Sequence, residues 1–454
     1  MENILSRKTK IIATIGPATM NQNVIADMLK EGVNAFRINF SHSSHEQASQ
    51  IVNLIRSAEK IANSRVPIIG DLQGPTVRLG DFNDIEVNRE SDYVISENEG
   101  IIVNEDVFYN LVDVGDTIII DGGRFWAKVK EKNGRKLKVR FMTEGVIGSR
   151  KTIAIQGKEY PLKAPTEKDI SDLQFAVKAG IEGVAISFIK NKEDVLKVKE
   201  IAESSGGSVF TVSKIETISG VNNIKDIVQV SDYILVARGD LGSHFPLVKI
   251  PEIQRHLIEV ALDYGKPSIV ATQLLDSMTV NPIPTRAEVT DVYTAVTMGA
   301  DSLMVSGETA VGKHPVDVIK WLNDIAFEAE RNQNLRVKGK SLDIYDKFAE
   351  GVVMMSELID AKLVAITTTG KTPMRLARFR PKKEILAACE SEFVFKKLQL
   401  TYGVMPVLLG SIKNDQQVVQ DLKASKFLKA GEKIIVTRSL KQGVTDAIKI
   451  LEVQ

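Results

Sequence analysis

Two side chains of opposite charge, Lys214 and Glu216, stand two residues apart at the end of a short apolar run at 208–215. If this run is a strand, both side chains point to the same side of it, because side chains alternate along a strand. Asp240 follows the next such run along the chain. Two carboxylates without a cluster of Cys or His favour a hard cation such as Mg²⁺ or Mn²⁺. With Lys214 and Arg37, that cation would hold phosphate-type oxygens; the alternative is a structural ion network.

Polar side chains follow the other apolar runs as well. In a barrel of parallel strands the carboxyl ends of all strands meet at one face, where active sites lie. We therefore expect these residues to surround one site, which favours a phosphate-handling, metal-dependent site over a plain ion network. They are Thr14, Arg37, Asn39, Ser41, His42, Asp71, Gln73, Arg78, Ser187, Lys190, Arg238, Thr272, Gln273, Ser306 and Glu308.

The segment 237–242, with the sequence ARGDLG, leads from a predicted strand toward a short helix. Its two glycines let the backbone approach a ligand, and the exposed N–H groups of a helix start could bind a carboxylate. The alternative is an ordinary strand-to-helix turn. The segment alone does not decide between them.

Short apolar runs, the predicted strands, position these side chains. The runs alternate with longer amphipathic stretches, which are predicted to be helices. The runs occupy 8–15, 34–40, 67–72, 183–188, 208–215, 232–237, 267–272 and 301–305. Almost continuously apolar runs are typical of parallel strands that are buried on both faces. Eight such units with right-handed crossovers predict an α/β fold, a closed (β/α)8 TIM barrel.

Two regions depart from this rhythm. Between Arg78 and Lys163, about seven short β-type runs separated by turn signals predict a small all-β domain inserted after the third strand. After about residue 332 the βα rhythm resumes, and its five or fewer strands predict a separate open, doubly wound α/β domain. The predicted domains are 1–78 and 163–332 for the barrel, 79–162 for the inserted β-barrel lid, and 333–454 for the C-terminal α/β regulatory domain.

Composition excludes several classes of protein. The 454 residues are 43% hydrophobic and 26% charged, and 59 Lys and Arg nearly balance 58 Asp and Glu. This near-neutral charge gives no reason to expect binding to nucleic acid or to an anionic membrane. A single cysteine, Cys389, cannot form an intramolecular disulfide and is expected to be buried. No apolar run is long enough to span a bilayer and no signal-peptide core is present, so we expect a soluble cytoplasmic protein.

Several stretches of the sequence together resemble the pyruvate kinase family over essentially the whole chain. A single glycine-rich motif would be weak, whereas so many motifs in order, each at a predicted strand end, are specific. The stretches are KTKIIATIGPA (8–18), FRINFSH (36–42), GDLQGPTVR (70–78), APTEKDI (164–170), SKIET (213–217), VARGDLG (236–242), ATQLLDSM (271–278), PTRAEVTDV (284–292) and SGETAVGKHP (306–315).

The resemblance implies transfer of a phosphoryl group from phosphoenolpyruvate to ADP, which yields pyruvate and ATP. It implies that Glu216 and Asp240 bind Mg²⁺ or Mn²⁺, and that Lys214 and Arg37 stabilise the transferred group. Fixed cations suit this chemistry, because charge is spread over the phosphoryl oxygens during transfer. Thr272 matches a threonine linked to protonation of the enolate, most plausibly as a relay from water.

The resemblance also assigns the remaining parts of the site. Gly239 and Asp240 would donate backbone N–H groups to the substrate carboxylate, and Asn39, Arg78 and Lys151 would lie on the nucleotide side. The segment 150–162 departs from the family pattern, although Lys151 is retained. The resemblance implies that the inserted domain is a lid that excludes water. It also implies that the protein assembles as a homotetramer.

A potassium site is a separate question. Asn39, Ser41, Asp71 and Leu72 match the family's monovalent-cation site. Potassium-dependent members carry glutamate where this chain has Thr76, and many independent members carry lysine there. Thr76 supplies neither charge, and the hypothesis is that K⁺ is not required.

A loop in the C-terminal region resembles the family's effector site for phosphorylated metabolites. Hydroxyls and consecutive N–H groups at a helix start form a phosphate-binding nest; the alternative is an ordinary N-capped helix with a Thr cap. The basic stretch 378–383 is expected to be a solvated or phosphate-facing surface. The loop residues are Thr367, Thr368, Thr369, Gly370, Lys371 and Thr372.

Two other functions remain open on sequence grounds. A magnesium-dependent lyase or aldolase on the same barrel would also use paired carboxylates and an arginine to hold an enolate. It would need neither a lysine beside the metal nor an inserted lid. A catalytically inactive metabolite sensor would tolerate loss of Lys214, Glu216, Asp240 or Thr272, and all four are present.

Overall fold

The structure, a computed structural model, describes residues 7–331, 338–438 and 447–454. Its first part consists of three buried strands and two helices. Asn21 caps the first helix, and Ser44 with Gln47 forms a capping box on the second, which fixes where each helix begins. These elements are β1 (Lys10–Thr14), α1 (Gln22–Lys30), β2 (Ala35–Asn39), α2 (His45–Ala62) and β3 (Ile68–Asp71).

An inserted all-β region follows β3. It forms a two-stranded sheet, β10-β4, and a six-stranded sheet, β11-β7-β8-β9-β5-β6, around an apolar core of its own. The predicted small β domain is confirmed, but its described strands form two separate sheets rather than the predicted β-barrel. Its elements are β4 (Ile85–Val87), β5 (Asp92–Ser96), β6 (Ile101–Ile102), α3 (Asp106–Leu111), β7 (Thr117–Ile120), β8 (Phe125–Asn133), β9 (Lys136–Phe141), β10 (Gly145–Ile147) and β11 (Ile153–Ile155).

The βα alternation then resumes with five more buried strands. The elements are α4 (Glu167–Lys178), β12 (Gly183–Ile186), α5 (Lys192–Ser204), β13 (Phe210–Ile215), α6 (Ile218–Asn222), α7 (Ile224–Val230), β14 (Tyr233–Ala237), α8 (Arg238–His244), α9 (Ile250–Asp263), β15 (Ser268–Ala271), α10 (Arg286–Thr297), β16 (Ser302–Val305), α11 (Gly307–Ala310) and α12 (Pro315–Arg331).

Over residues 7–331 the eight barrel strands close in the order β1-β16-β15-β14-β13-β12-β3-β2, each parallel to its neighbours. The predicted (β/α)8 barrel is confirmed. Buried apolar side chains fill the space between the strands and the surrounding helices. All eight carboxyl ends therefore open onto the same face.

The C-terminal region is an open sheet with helices, and its described strands have the order β19-β18-β17-β20-β21. Their number agrees with the predicted five or fewer strands, and the first four in the chain are parallel. The fifth, β21, is antiparallel and largely exposed, so it lacks the buried apolar pattern that signals the others. The predicted boundary at 332/333 lies outside the described residues. The elements are α13 (Ile344–Leu358), β17 (Lys362–Ile366), α14 (Lys371–Ala377), β18 (Ile385–Cys389), α15 (Glu392–Leu398), β19 (Val404–Leu408), α16 (Asp415–Ala424), β20 (Lys433–Arg438) and β21 (Ala447–Glu452).

This C-terminal region packs on the amino ends of the barrel strands. The Lys10 Nζ atom donates to the Val404 carbonyl at 2.8 Å, and the Ser302 hydroxyl donates to the Leu400 carbonyl at 3.0 Å. Both Lys10 and Ser302 begin their strands. The carboxyl-end face of the barrel, where the candidate site lies, is therefore on the opposite side.

The basic stretch 378–383, expected to be solvated or phosphate-facing, is partly interior, so the solvated alternative is wrong for two of its arginines; one of them, Arg378, lines a cavity. Arg378 and Arg380 are only 5% and 2% exposed. Arg380 pairs with Asp301 at 3.0 Å and Arg378 with Asp346 at 2.7 Å. These buried pairs neutralise charges that the linear sequence presents as a solvated cluster.

Two further predictions concern single features of the chain. Cys389 is buried, as expected, and burial raises the pKa of its thiol to about 12. Among the described helices, none has the length and apolar character that a bilayer crossing requires.

Candidate active site

Lys214 and Glu216 lie together at the carboxyl end of β13. The Lys214 Nζ atom lies 3.5 Å from the Glu216 Oε2 atom and 3.3 Å from the Asp71 Oδ1 atom, and it donates a hydrogen bond to the Ser187 hydroxyl at 2.7 Å. The predicted proximity of Lys214 and Glu216 is confirmed. The contacts with Asp71 and Ser187, from two other strand ends, had not been predicted individually.

The buried lysine is held in its charged form by the carboxylates around it. Burial alone would lower the pKa of Lys214, but Asp71, Glu216 and Asp240 outweigh it and raise the pKa above its ordinary value. Burial likewise opposes ionisation of Asp71, whereas Lys214 and Arg37 bring its pKa below the ordinary value. The site therefore keeps a fixed ammonium and a fixed carboxylate in contact.

Glu216 is fully buried and only half satisfied. Its Oε1 atom accepts a hydrogen bond from the Phe188 N–H at 2.6 Å. Its Oε2 atom is buried and accepts no hydrogen bond within the described residues. Burial, together with the nearby Asp240 carboxylate, raises the pKa of Glu216 to about 8 against the lowering effect of Lys214. The Lys214 ammonium lies 3.5 Å from the Oε2 atom without a hydrogen bond to it. A buried carboxylate oxygen with no hydrogen bond is costly unless a further group binds it.

Glu216 and Asp240 fit a divalent cation that a substrate also ligates. The described chain holds no group of three or more His, Cys, Asp or Glu residues arranged to bind a metal. Mg²⁺ is commonly held by only one or two protein carboxylates, with waters and substrate phosphate oxygens completing its coordination. The orphaned Oε2 atom of Glu216 and the half-buried Asp240 carboxylate supply such a pair.

Arg37 reaches the site from β2. Its Nε atom donates to Asp71 Oδ2 at 2.6 Å and its Nη1 atom donates to the Thr14 hydroxyl at 3.1 Å. In the part of the chain that is described, no hydrogen bond engages its Nη2 atom. Asp71 and Thr14 therefore fix the guanidinium and leave one edge of it able to bind an anion.

Thr272 and Gly239, two predicted site residues, are joined directly. The Gly239 N–H donates to the Thr272 Oγ1 atom at 2.9 Å. Thr272 has a positive φ of 71°, which is unusual for a β-branched residue. In this structure the Gly239 N–H, expected to face a substrate carboxylate, is occupied by Thr272.

The predicted nucleotide-side residues lie where the inserted region meets the barrel mouth. Arg78 and Thr152 form an isolated antiparallel bridge, and the Arg78 Nη1 atom donates to the Arg150 carbonyl at 3.1 Å. Lys151 pairs with Asp121 at 3.3 Å. Arg78 and Lys151 are close enough to His42 that, after burial, they contribute to lowering its pKa. The two cations are thus brought to the edge of the site.

Three of the four candidate potassium ligands, Asn39, Asp71 and Leu72, already have protein partners on their oxygen atoms. Asp71 binds Arg37 and Lys214, as described above, and the Asn39 Oδ1 atom accepts the Ser41 N–H at 3.0 Å. The Leu72 carbonyl accepts the Ser187 hydroxyl at 2.7 Å. The Thr76 Oγ1 atom is buried without a hydrogen bond in the described chain.

The candidate effector loop connects β17 to α14. Gly370 has a φ of 83° and is the N-cap of α14. No side chain caps the helix, so the alternative of an ordinary Thr N-cap is not observed. Thr367 is buried and its hydroxyl accepts the Gly370 N–H at 2.9 Å. Thr368 and Lys371 are exposed, Thr369 is half-buried, and Thr372 is buried.

A cavity of about 450 Å³ lies between this loop and the amino end of the barrel. Thr369 and Lys371 line it from the loop, and Lys266 lines it from the barrel. Its charged lining comprises Lys266, Lys371, Arg375, Arg378, Lys397, Asp232, Asp343 and Asp346. Five cations against three carboxylates make the cavity attractive to an anion.

Sequence reasoning missed one conspicuous contact. Asp291 on α10 binds the guanidinium of Arg238 through both carboxylate oxygens, at 2.9 and 2.8 Å. Asp291 belongs to the stretch 284–292 but was not singled out as a site residue. A single acidic residue on an amphipathic helix is ordinarily expected to face solvent. Only the fold places it beside a strand end.

Comparison with known proteins matches two family models. "Pyruvate kinase, barrel domain" covers residues 6–319, and "Pyruvate kinase, alpha/beta domain" covers residues 346–451. The chain is 35% identical to pyruvate kinase 2 of Synechocystis, over 98% of this chain and 79% of that protein. It is 34% identical to pyruvate kinase of Clostridium acetobutylicum, over 99% of each, and 33% identical to pyruvate kinase of Staphylococcus aureus, over 98% of this chain and 80% of that protein.

Proposed function

The chain belongs to the pyruvate kinase family of phosphotransferases, and we propose that Lys214, Arg37, Glu216, Asp240 and Thr272 carry its reaction. Phosphoenolpyruvate gives its phosphoryl group to ADP, and pyruvate and ATP are the products. The observation that carries the proposal is the buried cluster at the end of β13. There an ammonium, a guanidinium and an orphaned carboxylate oxygen converge on one face of the barrel.

Lys214 and Arg37 act on the transferred phosphoryl group. The bond between phosphorus and the enol oxygen breaks as a bond forms to a terminal phosphate oxygen of ADP. Negative charge spreads over the equatorial phosphoryl oxygens, where two preorganised cations lower the barrier. Asp71 holds both cations in place, through its contacts of 2.6 Å with Arg37 and 3.3 Å with Lys214.

Glu216 and Asp240 hold the divalent cation, Mg²⁺ or Mn²⁺. When bound, this cation would neutralise charge on the phosphoryl and enolate oxygens. The protein's part is to present one buried and one half-buried carboxylate and to leave the other coordination positions to substrate and water. The Phe188 N–H at 2.6 Å fixes the Glu216 carboxylate, so its free oxygen is already directed to the site.

Thr272 acts in the second half of the reaction. Transfer leaves the enolate of pyruvate, and its methylene carbon must gain a proton. The Thr272 oxygen accepts the Gly239 N–H, so its own hydrogen remains available to donate. A threonine hydroxyl is a weak acid, so it relays a proton from water and is reprotonated by solvent. Backbone N–H groups of Gly239 and Asp240 orient the substrate carboxylate, which requires the Gly239 N–H to change partner.

A coupled assay tests the proposed function. Pyruvate is measured with a lactate dehydrogenase couple, with and without ADP and with and without a divalent cation. We expect pyruvate from phosphoenolpyruvate only when both are present. Pyruvate formed without ADP would indicate an enolate-forming lyase or hydrolase, and no pyruvate under any condition would indicate an inactive metabolite sensor.

Other family properties complete the proposal. Asn39, Arg78 and Lys151 bind the nucleotide, while the inserted β region serves as a lid that keeps water from the phosphoryl group. The enzyme works in the cytoplasm as a homotetramer. The proximity of Arg78 and Lys151 to His42 at the barrel mouth supports their nucleotide role.

No potassium ion is required in this proposal. Asp71, the charged member of the candidate potassium set, is already neutralised by Arg37 and Lys214. The Leu72 carbonyl and the Asn39 side chain also accept hydrogen bonds from within the protein. A monovalent cation would have to compete with these contacts, which supports potassium independence.

A phosphorylated metabolite regulates the enzyme through the loop Thr367–Thr368–Thr369–Gly370–Lys371–Thr372. The support is the cationic cavity of about 450 Å³ that Thr369 and Lys371 share with Lys266 of the barrel. Lys266 directly precedes Pro267 and β15, and Thr272 directly follows this strand. An anion bound to Lys266 would therefore lie just before the strand after which a proposed catalytic residue stands.

A further inference from the structure

The guanidinium of Arg238 binds the backbone turn that carries Thr272, one carboxylate and, at 3.4 Å, the Gln254 Oε1 atom. Its Nε atom donates to the Ala271 carbonyl at 3.2 Å, and its Nη2 atom donates to the carbonyls of Thr272 and, at 3.2 Å, of Gln273. Its Nη1 atom binds Asp291. Three consecutive carbonyl groups are therefore gathered on one side chain.

These carbonyl groups belong to a turn that the chain does not favour by itself. Thr272 and Gln273 have positive φ values of 71° and 51°. Non-glycine residues in the left-handed region cost free energy, and the cost is larger for a β-branched residue such as Thr272. Contacts outside the turn must therefore stabilise it, and the Arg238 hydrogen bonds are aimed at its backbone.

Asp291 in turn fixes Arg238. It comes from α10, which lies between β15 and β16 in the chain, and it binds the guanidinium with both oxygens. The Arg238 side chain is 10% exposed and that of Asp291 is 38% exposed. A planar guanidinium bound on two edges has little freedom to rotate. The pair therefore forms a rigid brace from α10 to the turn.

We propose that Arg238, held by Asp291, is a positioning residue that sets the Thr272 hydroxyl for protonation of the enolate carbon. The inference rests on the proton-relay role proposed for Thr272. In this structure the Gly239 N–H, one residue after Arg238, also donates to the Thr272 Oγ1 atom at 2.9 Å. When that N–H turns to the substrate carboxylate, the Arg238 hydrogen bonds to the turn still hold the Thr272 backbone.

The two halves of the reaction depend on this brace differently. Breaking the phosphorus–oxygen bond uses Lys214 and Arg37, which hydrogen-bond to Asp71, Thr14 and Ser187 rather than to the turn. Forming the carbon–hydrogen bond uses Thr272. Loss of the brace should therefore slow protonation more than it weakens phosphoenolpyruvate binding.

The reverse of the protonation step gives a direct readout. Removing a proton from the pyruvate methyl group and returning one from solvent exchanges hydrogen for deuterium in D₂O, which proton NMR follows without phosphoenolpyruvate or ADP turnover. Arg238→Gln, Arg238→Lys and Asp291→Asn would be compared with wild type. Arg255→Gln is the matched control, because Arg255 is exposed on α9.

We expect Arg238→Gln to slow methyl exchange and kcat by roughly 10²-fold, the size typical of a misplaced catalytic group, with KM for phosphoenolpyruvate within about threefold. Arg238→Lys should not rescue, since an ammonium cannot gather the same carbonyls. Asp291→Asn, at the more exposed end of the pair, should show a smaller loss in the same direction. Arg255→Gln should behave like wild type.

Two results would overturn the inference. One is a folded Arg238→Gln or Asp291→Asn enzyme with wild-type exchange; the other is a loss of exchange matched by an equal rise in KM, which would mean general disruption of the site. If Arg238→Gln does not fold, the result for Asp291→Asn alone decides.

The Thr272→Ala variant separates this inference from its premise, the proton-relay role of Thr272. If Thr272→Ala exchanges the pyruvate methyl hydrogens at the wild-type rate, the proposed proton relay is refuted. If Thr272→Ala exchanges slowly but the Arg238 and Asp291 variants exchange at the wild-type rate, only the positioning role of Arg238 is refuted.

Discussion

The Nζ atom of Lys214 lies 3.5 Å from the Oε2 atom of Glu216, and that oxygen accepts no hydrogen bond from any described residue. The two side chains form an ion pair without a hydrogen bond between them. Lys214 is nearer to Ser187 and Asp71, at 2.7 and 3.3 Å, and is held charged by its carboxylate neighbours. The Glu216 Oε2 atom can therefore still accept a further cation, as the proposed metal site requires.

Replacement of Lys214 by methionine should abolish phosphoryl transfer while the barrel stays folded. Methionine has a similar length but no charge, so the developing phosphoryl charge loses a fixed cation. We expect kcat to fall by at least about 10³-fold, the range seen when a transition-state cation is removed. Steady-state kinetics and circular dichroism measure the two effects. Lys197→Met, on the exposed face of α5, is the control, and retained turnover in Lys214→Met would remove the role assigned to this lysine.

Activity should be independent of potassium. Asp71 already has two cationic partners, and Thr76 brings no charge of its own. Initial rates in sodium-only and potassium buffers of matched ionic strength should agree within about twofold. A gain of about tenfold or more with potassium, equal to roughly 1.4 kcal/mol in the barrier, would reject the prediction.

Alanine at Thr369 and at Lys371 should abolish activation by a phosphorylated metabolite and leave the basal rate unchanged. Both residues line the cationic cavity, at the amino ends of the barrel strands and away from the catalytic face. The rate at low phosphoenolpyruvate would be measured across a panel of sugar phosphates and nucleoside monophosphates. Lys347→Ala, exposed on α13, is the control. Activation that survives both substitutions would show that the loop does not bind the effector.

Lys266 should make stability depend on pH in a specific direction. Burial lowers the pKa of Lys266 to about 8, below its value in an unfolded chain. Between pH 8 and about 10.5, Lys266 thus binds more protons in the unfolded state than in the folded state. Its contribution to the free energy of unfolding therefore increases as the pH rises. Lys266→Met removes the cost of the buried charge. The Tm of Lys266→Met should exceed that of wild type by the largest amount below pH 8. This excess should become smaller as the pH rises toward 10.5. A difference that stays constant with pH would contradict the lowered pKa.

The sequence predicted the barrel because its signal is local. Continuous apolar runs such as 208–215 mark buried parallel strands, and residues two apart share a face, which placed Lys214 beside Glu216. The same rules failed for β21, which is an exposed edge strand without that pattern.

Contacts between distant residues were beyond sequence reasoning. Arg380 and Asp301 are 79 residues apart and form a buried pair, although the stretch around Arg380 looked like an exposed basic surface. Arg238 and Asp291 are 53 residues apart. Charge patterns along a chain do not indicate which opposite charge the fold will supply, so such pairs emerge only from packing.

The central claim is that Glu216 and Asp240 bind one divalent cation beside Lys214. A crystal soaked in Mn²⁺ and recorded at the manganese absorption edge tests it most directly. The account predicts one anomalous peak within about 2.5 Å of the Glu216 Oε2 atom and of an Asp240 carboxylate oxygen, as expected for oxygen ligands of such a cation, and loss of that peak in Glu216→Gln. A peak elsewhere, or one that persists at full height in Glu216→Gln, would contradict it.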